Sequence, residues 1–226
     1  MNKPETYKPT GYSGVNAIPK DWKTKPLWAI SNRKSVTENE NLELLSVYLD
    51  KGVIKFSDIP EKRTNVTSED RTKYQKVEPG DLVLNNQQAW RGSVGVSKYT
   101  GIVSPAYVVL TISEELDSTY VNYLFRDQVM VRQYLMSSRG IGTIQRNVHF
   151  PDLRTISVIV PPLEEQKLIA RYLDKKTEQI DSLIEKIRKK IDLLNEQRTS
   201  LINHYVTKGL DPNVEMKDSG VEGLGY

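Results

Sequence analysis

Pro151-Asp152 followed by Glu165-Gln166-Lys167 matches the loose PD…ExK pattern of metal-dependent nucleases. That chemistry needs the Asp and the Glu on neighbouring strands, so that both carboxylates reach one Mg²⁺. Here Glu164 and Glu165 follow Pro161-Pro162 at a helix start, where acidic side chains complement unpaired N–H groups. Lys167 falls on the same helix, so the structural role is favoured. A stand-alone nuclease using Asp152 and Glu165 is kept as the lesser alternative. The 2 histidines, His149 and His204, lie far apart in sequence and do not form a metal pair. With no cysteine there is no thiolate metal site, thiol nucleophile or disulfide. No P-loop, GxGxxG, nucleophile elbow or Asn-Pro-Pro-aromatic run is present. The expectation is a chain that is no enzyme and carries no metal or cofactor of its own.

The remaining polar clusters fit recognition. "NNQQAWRGS" (Asn85 to Ser93) packs amides, Trp90 and Arg91 into one loop. Asn and Gln can make bidentate contacts with adenine, and Arg with guanine. "SSRGIGTIQRN" (Ser138 to Asn147) reads as a glycine-bearing loop offering Arg139, Gln145 and Arg146. A third cluster holds Arg63, Arg71 and Lys73. Base-reading candidates are Gln87, Gln88, Arg91, Arg139, Gln145 and Arg146, while Trp90 is read as the anchor of its loop. Together the three clusters suit a nucleic acid, DNA or RNA. The net charge of +3 permits such a partner without requiring it.

Two kinds of element must position these residues. Up to about residue 160 the pattern is mixed strand and helix. "LELLSV" (Leu42 to Val47), the Asp50–Gly52 turn and "VIKF" (Val53 to Phe56) read as a hairpin. "LVLN" (Leu82 to Asn85), "GSVGVSKY", "AYVVLTI" (Ala106 to Ile112) and "ISVIV" (Ile156 to Val160) read as strands. Ser118 caps a helix that runs to about Met136. From Leu163 to about Val206 there is no Pro or Gly, and Gly209 and Pro212 end the run. That is one helix of about 65 Å. Leu173, Thr177, Ile180, Ile184, Ile187, Ile191, Leu194, Arg198, Leu201 and Tyr205 alternate steps of four and three, the spacing of coiled-coil a and d positions. Off this seam the helix is nearly all polar, so the stripe calls for a second long helix. The fold class expected is α+β, a mixed globular domain (1–160), a coiled-coil-forming helix (161–208) and a tail (209–226). No apolar run is long enough to span a membrane, and Met1–Thr10 has no signal-peptide core, so the expected location is cytoplasmic.

The run from "PPLEEQ" through "QIDSLI" to "VTKGL" resembles the conserved helical region of type I restriction–modification specificity (S) subunits. "PGDLVLN" and "GIVSPAYVVL" resemble stretches of their target recognition domains, "IPKDW" the domain entry, and "MKDSGVEGLG" the segment between their two repeats. The resemblance implies a non-catalytic reader of one half of a split DNA site. It implies modification (M) subunits that methylate adenine with S-adenosylmethionine, and restriction (R) subunits that use ATP, with Mg²⁺ also confined to partners. Full family members carry two recognition domains and two long helices, whereas this chain shows one of each. The expectation is a half-length form that homodimerises through antiparallel helices, using Leu173, Ile180, Ile184, Ile187, Ile191, Leu194 and Leu201. A coiled-coil adaptor whose globular domain binds protein is the other alternative.

Overall fold

A computed structural model describes residues 6–12, 14–49, 51–59, 70–141, 145–211, 213, 215 and 220. In chain order the strands begin with β1 (Tyr7–Tyr12), β2 (Val15–Pro19), β3 (Lys23–Pro26), β4 (Ser31–Lys34), β5 (Leu45–Tyr48) and β6 (Gly52–Lys55). Then come β7 (Gln75–Val77), β8 (Leu82–Asn85), β9 (Val94–Val96), β10 (Gly101–Val103) and β11 (Tyr107–Ile112). Helices α1 (Ser118–Leu124) and α2 (Gln128–Met136) precede β12 (Ser138–Ile141) and β13 (Gln145–Val148). The short α3 (Phe150–Leu153), β14 (Ser157–Val160) and the long α4 (Leu163–Lys208) complete the chain. By contacts it divides into two compact units, residues 1–171 and 172–226.

The first unit is built on a four-stranded sheet in the order β4-β11-β8-β9, every pair antiparallel. "LVL" and "VVL" are continuous apolar runs because both faces of this sheet are covered. Leu82, Leu84, Val108 and Leu110 join Val121, Phe125, Met130, Tyr134 and Leu153 in one apolar cluster. Their neighbours Val83 and Val109 point the other way, into a second cluster with Leu45, Val47, Val53, Val77 and Val103. The 2.0-residue period of a strand thus divides one apolar run between two cores.

Glycine sets the fit of the β5–β6 hairpin on the sheet. A Cβ at Gly95 would lie 2.9 Å from the Gly52 Cα, so the backbones meet there with no side chain between them. Gly52 also adopts φ +71°, in the left-handed region of the hairpin turn.

The single helix expected from Ser118 to Met136 is two helices. Its first cap is Asp117, whose side chain accepts from the Tyr120 N–H at 2.9 Å, and Ser118 is the first helical residue. Phe125, Arg126 and Asp127 break the run, and Asp127 caps α2 by accepting from the Val129 N–H at 2.8 Å. The buried Tyr134 hydroxyl donates to the Phe125 carbonyl at 2.9 Å and so fixes the corner.

The root of α4 belongs to the first unit. Gln166 is fully buried, its Oε1 accepting from the Asp117 N–H at 2.9 Å. Its Nε2 donates to the carbonyls of Glu115 at 3.0 Å and Pro161 at 2.9 Å. One side chain therefore joins the helix start, the β14 exit and the α1 cap. From residue 174 onward every described residue is exposed. The expected seam is present, with Ile180, Ile184, Ile187, Ile191, Leu194 and Leu201 all exposed and Leu173 half-buried. No helix is long and apolar enough to cross a membrane, the search covering the described residues.

Candidate nucleic-acid interface

The amide-rich loop is a rigid structure. After β8, residues 86–88 turn into a 3-10 segment, Ala89–Arg91, closed by Gly92 at φ +101°. Asn85 Oδ1 accepts from the Gln87 N–H at 3.0 Å, and the Trp90 indole N–H donates to the Gln87 carbonyl at 2.9 Å. Trp90 also packs on the first apolar cluster, which makes it the loop's internal anchor. Gln87 and Arg91 are exposed and Gln88 is half-buried. The Arg91 guanidinium lies over the Trp90 ring, 4.5 Å from its centroid.

The "SRGIGTIQRN" segment is a hairpin rather than the loop its glycines suggest. β12 pairs antiparallel with β13, setting Arg139 opposite Asn147 and Gly140 opposite Arg146. Backbone pairing on both sides of residues 142–144 outweighs the turn preference of glycine. Alternation then puts Arg139 and Arg146 on opposite faces, so they do not act on one surface together. Gln145 pairs with Ile141, and its side chain lies outside the described residues. The Val148 N–H donates to the Asn86 carbonyl at 3.0 Å, so this hairpin and the amide-rich turn are fastened side by side.

Arg139 is exposed and held by Asp152, its Nε at 3.1 Å and its Nη2 at 3.0 Å from Asp152 Oδ2. His149 Nδ1 lies 3.0 Å from the same oxygen. Desolvation pushes the Asp152 pKa up, but hydrogen bonds and charge from Arg139 and His149 outweigh it and hold the carboxyl below its usual range. Arg139 is thereby oriented as a fork whose remaining N–H groups are available to a base edge.

The third cluster is only partly described. Arg63 lies outside the described residues. Arg71 is half-buried and Lys73 exposed, in a segment tied to the rest by the Thr72 carbonyl, which accepts from the Glu38 N–H at 3.1 Å.

The nuclease-like triplet is dispersed over separate partners. Asp152 serves Arg139, Glu165 Oε2 accepts from the Trp22 indole N–H at 2.8 Å, and Lys167 donates to Glu164 at 2.8 Å. Among the described residues no group of three His, Cys, Asp or Glu side chains is gathered to hold a metal ion.

Sequence reasoning overlooked two residues. Gln166 reads as an ordinary first-turn residue, and its one signal is that it is an amide set directly after two acids and a Pro-Pro pair. Arg126 sits where the apolar spacing suggests mid-helix, and the structure places it at a corner beside Arg91.

Comparison with known proteins places this geometry. Residues 19–193 match the family model described as the type I restriction modification DNA specificity domain. The chain is 25% identical over 90% of its length to the type I restriction enzyme MjaVIII specificity subunit of Methanocaldococcus jannaschii, covering 46% of that protein. A second relative from the same organism is 24% identical and is covered over 52% of its length. Two solved structures share the fold. One is a chain from a study of complex assembly and conformational transition of the type I R-M system (TM-score 0.60, 17% identity, 87% of this chain and 48% of that one). The other is the HsdS subunit from Thermoanaerobacter tengcongensis (TM-score 0.51, 17% identity, 88% and 48%). The chain thus spans about half the length of the curated relatives it matches. Matched through most of the globular unit and much of the helical seam, the chain belongs to the type I restriction modification DNA specificity domain family.

Proposed function

We propose that this chain is a DNA specificity subunit that reads one half of a bipartite duplex site and acts as a homodimer joined through α4. The observation that carries the reading is the family match, which runs through the globular unit and into the helical seam. The joined turn and hairpin supply the surface for bases, with Gln87, Gln88 and Arg91 on one and Arg139 on the other. Gln145 and Arg146 stay in the set, with Arg146 assigned to the opposite hairpin face. Arg63, Arg71 and Lys73 are assigned to flanking phosphates, which give affinity without sequence information.

The exposed isoleucines of α4 supply the dimer contact, since an apolar stripe of this length is stabilised by burial against a second one. M subunits dock on the paired helices and bring S-adenosylmethionine, while R subunits, where present, bring ATP and Mg²⁺. The chain itself holds no cofactor and performs no bond-making step.

Titration of a labelled random-sequence duplex tests the central assignment. Weak binding that falls steeply with added salt is expected, because each phosphate contact releases a counterion. A protein-binding adaptor would leave the duplex unshifted at every salt concentration, and that result would overturn the proposal.

A further inference from the structure

We infer that the cleft between the Ala89–Arg91 segment, the α1–α2 corner and the β5–β6 turn holds one phosphodiester of the bound duplex, gripped by Arg91 and Arg126. This rests on the DNA reading above and adds to it a site with its own residues and ligand chemistry. The cleft has a volume of about 420 Å³, and its polar lining is Arg91, Asn122, Tyr123, Arg126 and Gln128. Two guanidinium groups therefore meet in one open depression, and no carboxylate among the described residues lines it. Planar guanidinium forks match the geometry of phosphate oxygens better than any other side chain.

Both arginines are held in place in advance. Arg126 Nη2 donates to the Leu49 carbonyl at 3.2 Å. The hairpin bearing Leu49 is itself seated by the Gly52–Gly95 contact, and a Cβ at Gly52 would come within 3.9 Å of Arg126 Nη1. Asn122 Oδ1 accepts from the Val96 N–H at 3.1 Å, which fixes α1 against the same strand. Arg91 is oriented by the Trp90 ring. Rotamer freedom surrendered on folding need not be surrendered on binding, which strengthens the grip.

The position gives the site its purpose. Arg91 follows directly on the turn that carries Gln87 and Gln88. A backbone phosphate held at Arg91 and Arg126 sets the register in which those amides meet base edges. This moves Arg91 from base reading, its expected role, to backbone positioning.

The full chain is assayed with a labelled random-sequence duplex across a salt series, beside the Arg126→Gln and Gln128→Glu variants. Arg126→Gln is expected to raise the duplex Kd roughly tenfold and to reduce the salt slope by about one, the signature of a lost phosphate contact. Gln128 is exposed at the start of α2, where a carboxylate suits the helix, so Gln128→Glu keeps the fold and repels the phosphate. It should weaken binding several-fold. In cells, the methylated motif should be unchanged in both variants. Wild-type binding with both variants unaffected would overturn the cleft and leave the DNA reading standing. An altered motif would also overturn it, by making Arg126 a base reader. Inorganic phosphate that raises the thermal midpoint of the wild type but not of Arg126→Gln, with duplex affinity equal in both, would assign the cleft to a free anion and overturn the phosphodiester. A wild type that binds no duplex would overturn the DNA reading itself.

Discussion

Gln166 makes three backbone hydrogen bonds from a fully buried amide, and each is to a different segment. Replacing it with Ala strands the Asp117 N–H and the Glu115 and Pro161 carbonyls away from water. The expected cost is on the order of 3 kcal/mol, read as a lower urea midpoint with an unchanged slope. Asn, one methylene shorter, should recover only part of the loss. Such residues explain why the site was only partly legible. Side chains that meet bases are exposed amides and arginines, and sequence ranks them by chemistry alone. Arg139 and Arg146 look equivalent in "SRGIGTIQRN", yet strand alternation separates them. Arg126 looks helical, yet Asp127 restarts the helix beside it and turns the arginine toward Arg91. These outcomes depend on pairing partners distant in sequence, which local pattern does not contain.

At the scale of elements, α4 is a helix of 46 residues whose flanks differ in charge. With Ile184 and Ile191 at a positions and Ile180 and Ile187 at d, the e positions include Asp181 and Arg188. Antiparallel pairing that stacks Ile184 on Ile187 and Ile180 on Ile191 of a second copy also sets Asp181 beside the other copy's Arg188, twice by symmetry. Parallel pairing would bring Arg198 against Arg198 in the seam. Asp181→Arg is therefore expected to weaken the dimer about tenfold, and Arg188→Asp added to it should restore the wild-type affinity in sedimentation equilibrium. Ile187→Glu should give a monomer with the globular unit intact. A double variant no better than the single would exclude this register. Elements were legible where burial is regular. The long helix, β8, β11 and β14 follow apolar patterns that one sequence displays. β1, β3 and β4 ("YKPTGY", "KTKP", "SNRK") went unpredicted because their residues are polar or proline. They are strands through their partners: β3 pairs with β14, and β4 pairs with β11 at the sheet edge.

For the whole molecule, two identical readers related by a two-fold axis recognise two identical half-sites in opposite orientation. The methylated motif recovered by methylome sequencing from cells holding this chain and its M subunit should be an interrupted palindrome. A motif with unrelated halves would exclude the homodimer. The β12–β13 hairpin gives that symmetry an evolutionary reach. Insertion of one residue into β12 would shift its register by one and exchange the side chains on its two faces, retiring Arg139 from the surface it now shares with Asn147. Because one gene would encode both readers, a single three-nucleotide insertion would revise both ends of the target together, and the new site would be as symmetric as the old.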